Sequence, residues 1–221
     1  MIFLLFFQTV SAQYDFSAVN EIIGDKKQQA GGNASIAVWK DGQVIYKKDT
    51  GSLKMGRLDV QAPVEAASRW FTAALTLIFV DEGLISLDDP VSDYLPVFSK
   101  YSKGYLTIRQ CLNNTTGIEP EGGGMAKMLQ KKKFASLEEQ VNYIASHNDI
   151  KANPGAEFVY GNSGIDIVGR VLEVVSKRKT FDRLANEKIF RPLGMRKTSF
   201  MAETGAVRPS VGAVSTSGDY C

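Results

Sequence analysis

Residues 63–96 read PVEAASRWFTAALTLIFVDEGLISLDDPVSDYLP, and this stretch decides the fold. Between Trp70 and Val80 the residues are apolar apart from two threonines, which predicts a helix that is buried all round. The helix is too short, and too polar at its ends, to span a membrane. It is followed by Asp81-Glu82-Gly83, and the run Leu87-Asp88-Asp89-Pro90 opens the next segment.

Two positions at the start of this helix bear on chemistry. Ala66 and Arg69 are three residues apart, so they face the same side of a helix. A serine and a lysine at this spacing could share a proton, and the helix N-terminus would stabilise the developing alkoxide. Ala66 has no oxygen with which to attack, and an arginine does not release its proton. We therefore expect no nucleophilic catalysis from this pair.

The stretch resembles the nucleophile helix of serine β-lactamases, penicillin-binding proteins and related esterases. The family pattern is Ser-x-x-Lys, then a Thr-Ala run, then an exit of the Gly-Leu-Leu-Asp-Asp-Pro type. Here Thr72-Ala73, Leu87-Asp88-Asp89-Pro90 and Tyr94-Leu95-Pro96 match that pattern. On this alignment Ala66 occupies the serine position and Arg69 the lysine position. The resemblance implies acyl transfer on an amide or ester as the lineage activity, with both chemical residues replaced.

A second alignment makes Ser68 the nucleophile. The lysine position would then fall on Phe71, which is no base. Ser68 would also lie about 200° around the helix from residue 66, away from the site that the family defines. We favour the first alignment and interpret Ser68 as a small residue packed in a buried helix.

Residues 154–164 resemble the family's second motif, Pro-Gly-x-x-Phe-x-Tyr-x-Asn-x-Gly. The resemblance places the hydroxyl of Tyr160 opposite the nucleophile position and gives Asn162 the role of binding a substrate carbonyl. Tyr-x-Asn alone would equally describe a tyrosine in a turn and an asparagine helix cap, so the flanking matches carry the assignment. Apolar residues then recur at helical spacing from Ile165 to Val175, which predicts an amphipathic helix with its apolar face in the core.

Three further segments resemble the family in its own order: residues 106–117, 191–200 and 211–220. The first usually ends in His-Thr-Ser-Gly, and here Asn114 replaces the histidine. A third motif, Lys-Thr-Gly or His-x-Gly on a later strand, does not occur before Cys221. We therefore expect a fragment or a shortened gene without the strand that supplies one oxyanion-hole N–H. Losing one such donor typically costs about 10²–10³ in rate.

The predicted fold is α+β, of the β-lactamase/transpeptidase type, with a helical region beside an incomplete antiparallel sheet that is flanked by helices. Residues 1–12 are assigned to a signal peptide. Residues 13–62 are expected to form an N-terminal helix and a β-hairpin that turns at Asp41-Gly42. Residues 63–204 are expected to form a mainly helical region, and residues 205–221 a return segment toward the strands that we expect to be missing.

Composition and charge limit the classes of binding partner that we expect. The 221 residues are 44% hydrophobic and 23% charged, which is ordinary for a soluble globular protein. A net charge of +2 gives no reason to expect a nucleic-acid or membrane partner. The apolar run before Val10-Ser11-Ala12 predicts export, so the chain is expected to be secreted or periplasmic, without a membrane span after cleavage. An intact cleft would bind a small molecule or a peptide.

Neither a cofactor nor a metal site is expected. His147 is the only histidine, and its surroundings are typical of an exposed helix end, so a Ser-His-Asp triad is not expected. One histidine and two distant cysteines, Cys111 and Cys221, have no metal-ligand spacing. Cys111 is expected to be a buried apolar residue, and no spacing pattern supports a disulfide.

These observations lead to three functional hypotheses. The first is a β-lactamase-related serine hydrolase homologue that is inactive as written. The second, from a different class, is a binding protein that keeps the cleft for peptide or cell-wall ligands without turnover. The third is a working hydrolase that uses an unrecognised nucleophile.

Overall fold

The computed structural model describes most of the chain, namely residues 14–29, 31–32, 34–50, 60–119, 133–177, 179–201 and 205–220. The predicted signal peptide and Cys221 lie outside these ranges. The described residues divide into two compact units, one that ends at residue 60 and one of residues 61–220. Within the described ranges, every helix falls short of the length and apolar character that crossing a bilayer requires.

The first unit contains one helix and a two-stranded antiparallel hairpin, which are α1 (Ser17–Lys26), β1 (Ala34–Lys40) and β2 (Gln43–Thr50). Asp41 and Gly42 connect the two strands. Both residues have positive φ, 51° and 82° respectively, as a tight hairpin turn that matches the strand twist requires. The predicted helix and hairpin are confirmed, and the predicted domain boundaries stay predictions.

The second unit is mainly helical. Its helices are α2 (Ser68–Asp81), α3 (Val97–Lys100), α4 (Ile108–Leu112), α5 (Leu137–His147), α6 (Ser163–Val175), α7 (Phe181–Ala185) and α8 (Ser217–Tyr220). Shorter helical turns lie at Glu65–Ala67, Val91–Asp93 and Asn186–Phe190. A small antiparallel sheet places the central strand β5 (Ala213–Ser215) between β3 (Ala62–Pro63) and β4 (Ser199–Phe200). Helices beside small antiparallel sheets confirm the predicted α+β class.

The core of the second unit forms where α6 packs against α2, α4 and α5. Ile165, Val168 and Leu172 recur at helical spacing on α6 and are buried, as the sequence pattern predicts. On the other side of α2, Phe71 meets Phe190 edge to face, with 5.1 Å between ring centroids. Each fully buried side chain of this size contributes about 1.5–3 kcal/mol. These contacts fix the position of α2.

One face of α2 is exposed, so the prediction of a helix buried all round is wrong. Trp70 is 76% exposed and Leu77 is 52% exposed, whereas Phe71, Leu75 and Phe79 are buried. The described part of the chain places no element over the outward face. The sequence pattern did not reveal this difference because both faces of the helix are apolar.

A buried carboxylate ties residues 205–220 to the helices. Asp166 of α6 is fully buried and accepts hydrogen bonds from Gln140 Nε2 at 2.8 Å and from the Ser210 N–H at 2.9 Å. Beside it, a Cβ on Gly169 would lie 2.3 Å from Pro209, so only glycine fits there without a shift. The satisfied carboxylate and the close contact fix the segment that carries β5, and β5 in turn supports the start of α2.

Candidate functional site

Ala66 lies in the helical turn that precedes α2 and is exposed. Its neighbour Glu65 has φ +44°, in the left-handed region that is costly for residues other than glycine. The turn is supported by Tyr220, whose hydroxyl donates a hydrogen bond to the Ala67 carbonyl at 3.1 Å. The predicted nucleophile position therefore lies in an accessible, strained turn at the start of α2.

Ser68 faces the interior, away from the surface at Ala66. Its side chain is fully buried, and its Oγ accepts a hydrogen bond from the Ala213 N–H at 3.0 Å. A substrate would have to separate α2 from β5 to reach this hydroxyl. Ser68 is therefore a buried, hydrogen-bonded residue, and the assignment of Ala66 to the nucleophile position stays a prediction.

The Arg69 side chain joins the two motifs. Its Nη2 donates to Asn162 Oδ1 at 2.7 Å and to the Gly161 carbonyl at 3.0 Å. Its Cζ lies 4.1 Å from the centroid of the Tyr160 ring, which is a cation–π stack. The structure thus brings Arg69, Tyr160 and Asn162 together beside the turn that carries Ala66. The catalytic and binding roles of these residues stay predictions.

Asn162 occupies the N-cap position of α6, but its side chain makes no capping hydrogen bond. Its Oδ1 accepts from Arg69 instead, so the description of Asn162 as a simple helix cap does not fit. The amide NH2 group of Asn162 has no hydrogen-bond partner among the described residues. This group is a donor of the kind that binds a ligand carbonyl.

Asn114 is a member of the cluster that the sequence analysis noted only as a departure from the family. Its Oδ1 accepts from Arg69 Nη1 at 3.4 Å and from the Gly161 N–H at 3.3 Å. Its φ of +56° is left-handed, a conformation that asparagine tolerates better than most residues. The signal in the sequence was the asparagine at the histidine position, together with an arginine at the lysine position. Only the structure shows that the two substituted residues contact each other.

The charge of Arg69 is not neutralised by any acidic side chain in the described ranges. Its Nε–H is buried and has no hydrogen-bond partner there. A buried donor without a partner costs about 1–3 kcal/mol, so the Asn162, Gly161 and Tyr160 contacts offset a real penalty. This arrangement can hold and orient a ligand, but the guanidinium cannot accept a proton from a nucleophile.

A pocket of about 410 Å³ opens beside the cluster, along the outward face of α2. Its volume falls in the range of small-molecule pockets, about 300–1,000 Å³. Arg69 and Asn114 are its polar residues. The other residues that line it are apolar: Trp70, Ala73, Ala74, Leu77, Leu112 and Ile165.

The remaining candidate groups lie apart from this cluster. His147 is exposed at the end of α5 and stacks on Tyr143 with 4.1 Å between ring centroids, in agreement with the predicted exposed helix end. Cys111 is buried, as predicted, and burial raises the pKa of its thiol to about 12. In the part of the chain that the structure describes, no three His, Cys, Asp or Glu side chains converge as a metal site.

Two relatives among characterised sequences cover most of this chain. Protein flp of Staphylococcus aureus (strain NCTC 8325 / PS 47) is 27% identical over an alignment 175 residues long, gaps included, that covers 76% of this chain and 34% of its own. Beta-lactamase-like protein 4 of Dictyostelium discoideum is 24% identical over an alignment 235 residues long, gaps included, that covers 93% of this chain and 39% of its own. The chain thus spans between a third and two fifths of the length of these relatives.

Solved structures show the same fold. A putative beta-lactamase from Bacteroides dorei DSM 17855 is 31% identical with a TM-score of 0.81, over 94% of this chain and 61% of that chain. The octameric penicillin-binding protein homologue from Pyrococcus abyssi is 22% identical with a TM-score of 0.78, over 94% of this chain and 55% of that chain. The family model described as Beta-lactamase matches residues 19–219. The chain therefore belongs to the beta-lactamase family, the group of penicillin-binding-protein-like serine hydrolases.

Proposed function

We propose that this chain is a non-catalytic homologue of the β-lactamase-type serine hydrolases, whose lineage activity is acyl transfer on amide or ester substrates. The observation that carries the proposal is Ala66, which is exposed in the turn at the predicted nucleophile position and whose side chain has no oxygen. The nearest serine in the chain, Ser68, is buried and hydrogen-bonded to the Ala213 N–H, so it is no substitute.

Arg69 supports the proposal in a second way. A serine hydroxyl is a weak nucleophile until a neighbouring base accepts its proton, and a guanidinium keeps its own. Both Nη2 hydrogen bonds of Arg69 go to Gly161 and Asn162, so the side chain acts as a structural link. Replacing Ala66 alone with serine would therefore restore an oxygen without an activating group.

The proposal is tested by covalent labelling. The protein is incubated with a fluorophosphonate probe and with a labelled penicillin, and its intact mass is measured, with an active serine β-lactamase as positive control. We expect no adduct. Stoichiometric acylation would overturn the proposal, and peptide mapping together with a Ser68→Ala variant would show whether Ser68 is the unrecognised nucleophile.

A second candidate function is ligand binding without turnover. The observation that favours it is the Asn162 amide, whose NH2 group is left as a donor while its oxygen is held by Arg69. Tyr160 and Phe158 add exposed aromatic surface beside it, with 6.5 Å between their ring centroids. A peptide or cell-wall fragment offers carbonyl groups for such a donor. Thermal shift with D-Ala-D-Ala peptides, compared with their L,L isomers, would detect stereospecific binding.

A further inference from the structure

The outward face of α2 extends from the Arg69 and Asn114 cluster and carries exposed apolar side chains. Trp70 and Leu77 stand on this face, two turns apart, and are 76% and 52% exposed. They form the apolar pocket described above with Leu112 of α4 and Ile165 of α6. Large exposed apolar residues in one contiguous patch mark an interaction site on a soluble protein.

The pocket also has a charged end. Arg69 lines the end of the pocket at the start of α2, and no acidic side chain in the described ranges pairs with its guanidinium. Its Nε–H is buried and its Nη2 is hydrogen-bonded to Gly161 and Asn162, so Nη1, which makes only the 3.4 Å contact with Asn114, is the group that would meet a ligand. A guanidinium binds a carboxylate through short, charge-assisted hydrogen bonds that are about twice as strong as neutral ones. The pocket therefore combines an apolar channel with a cation that has no counter-ion in the described part of the chain.

We propose that this pocket binds a small anionic amphiphile, with its carboxylate at Arg69 and its apolar chain along Trp70 and Leu77. From residue 69 to residue 77 the helix rises about 12 Å, at 1.5 Å per residue, which suits an acyl chain of medium length. A flat apolar face alone would suit another protein equally well. The volume of about 410 Å³, next to an arginine that has no acidic partner among the described residues, favours a small anion.

The inference goes beyond the proposed function, because it concerns the outward face of α2 and does not depend on whether residue 66 can react. Covalent labelling at the cleft would refute the proposed inactivity and leave amphiphile binding at the outward face unchanged. Failure of the protein to bind an amphiphile would likewise not affect the proposal that it is non-catalytic.

Trp70 serves as the reporter of binding. The chain has two tryptophans, so a Trp39→Phe background makes the fluorescence report Trp70 alone. Octanoate, 1-octanol and octylammonium share one apolar chain and differ in charge, and each is titrated below the concentration at which it aggregates. We expect octanoate to bind at least about tenfold more tightly than 1-octanol, since it adds a charge-assisted hydrogen bond, and octylammonium to bind most weakly.

Two leucines provide a matched pair of variants. Leu77 lines the pocket, whereas Leu193 is 71% exposed and is not one of its lining residues. Leu77→Glu is expected to weaken octanoate binding at least tenfold, and Leu193→Glu to leave it unchanged. Both positions are exposed, so both variants are expected to melt like the parent. Arg69→Gln is expected to abolish the preference for octanoate over 1-octanol.

Three results would overturn the proposal. Equal affinity for octanoate and 1-octanol would show an apolar patch without an anion site. Equal effects of Leu77→Glu and Leu193→Glu would place binding elsewhere. Shielding of Trp70 from acrylamide that rises with protein concentration and ignores octanoate would show that the face is an interface between copies of the chain.

Discussion

Arg69 Nη2 lies 2.7 Å from Asn162 Oδ1, a residue 93 positions later in the chain. This contact joins the start of α2 to the N-terminus of α6, and the Gly161 carbonyl strengthens it. The arginine that stands at the family's lysine position is thus a structural element of this protein. The effect of a substitution at Arg69 on the free energy of unfolding should therefore be measured before its effect on activity is interpreted.

Arg69→Met is expected to lower the free energy of unfolding by about 1–3 kcal/mol, because it leaves Asn162 Oδ1 and the Gly161 carbonyl without their charged donor. Urea unfolding measures the loss, and hydrogen exchange should become faster at the Gly161 N–H. Arg109→Met is the control, since Arg109 pairs with Asp88 on the exposed surface and should matter less. An unchanged unfolding midpoint for Arg69→Met would show that the contact contributes nothing.

Ser68→Ala is expected to destabilise the protein by about 1–3 kcal/mol, since it leaves the buried Ala213 N–H without its acceptor. Thr76→Ser serves as the comparison, because it keeps the hydroxyl that donates to the Thr72 carbonyl within α2. Thermal unfolding of both variants measures the difference. A fully stable Ser68→Ala protein would argue against the bridge between α2 and β5.

Lys103 provides a prediction about pH. Its side chain is 7% exposed and donates to the Ala145 carbonyl near the end of α5, and burial lowers its pKa while Asp149 partly opposes that shift. Between the lowered folded pKa and the unfolded value near 10.5, the unfolded chain binds more protons than the folded one. The contribution of Lys103 to stability therefore rises as pH increases through that window.

We expect the free energy of unfolding of the parent, minus that of Lys103→Met, to increase as pH rises from 7 toward 10.5. Urea unfolding at steps of pH measures the difference, and subtracting Lys103→Met removes the effect of other titrating groups. Lys100→Met is the control because Lys100 lies on the exposed surface of α3. A difference that is constant or falls with pH would contradict the prediction.

Export is predicted from the apolar N-terminus. Expressed in a bacterial host, the chain is expected to be cleaved after Ala12 and to begin at Gln13, because small residues at Val10-Ser11-Ala12 suit a signal peptidase. N-terminal sequencing of the exported fraction measures the cut. Leu4→Lys interrupts the apolar run and should keep the protein in the cytoplasm. An uncleaved Met1 in the parent would count against the assignment.

Local patterns predicted much of the fold. The Asp41-Gly42 turn and the helix from Ile165 to Val175 each follow from a short-range rule, either turn chemistry or apolar spacing, so the sequence alone identified them. The exposure of Trp70 is different, because it depends on which other elements cover α2. An apolar residue looks the same in a sequence whether or not a neighbour packs over it.

The candidate site also contains residues that the sequence identified and one whose role only the folded structure shows. Resemblance assigned Arg69, Tyr160 and Asn162, and the structure brings them together. The resemblance did not reveal the role of Asn114, whose Oδ1 accepts a hydrogen bond from Nη1 of Arg69, 45 residues earlier in the chain. That contact pairs two residues that depart from the family pattern, and neither departure by itself indicates the other. Long-range contacts between substituted residues need the folded geometry.

The last prediction concerns repair of the nucleophile. Ala66→Ser with Arg69→Lys rebuilds Ser-x-x-Lys in the turn and first helical residues of α2, beside Tyr160 and Asn162. We nevertheless expect the double variant to remain nearly inactive. The 221 residues contain neither Lys-Thr-Gly nor His-x-Gly, the motif whose strand donates an oxyanion N–H in the family. Preorganised donors are usually the largest catalytic contribution, and one of them is worth about 10²–10³ in rate.

The decisive measurement is hydrolysis of nitrocefin and of a small ester by all four combinations of residues 66 and 69. Unfolding midpoints are recorded in parallel, because loss of the Arg69 contact with Asn162 is expected to weaken both proteins that carry Arg69→Lys. Adding a family member's third-motif strands to the C-terminus should bring acylation to the double variant and to neither protein that keeps Ala66. Turnover by the unextended double variant would show that the third motif is dispensable here. Turnover by any protein with alanine at position 66 would show that the nucleophile lies elsewhere.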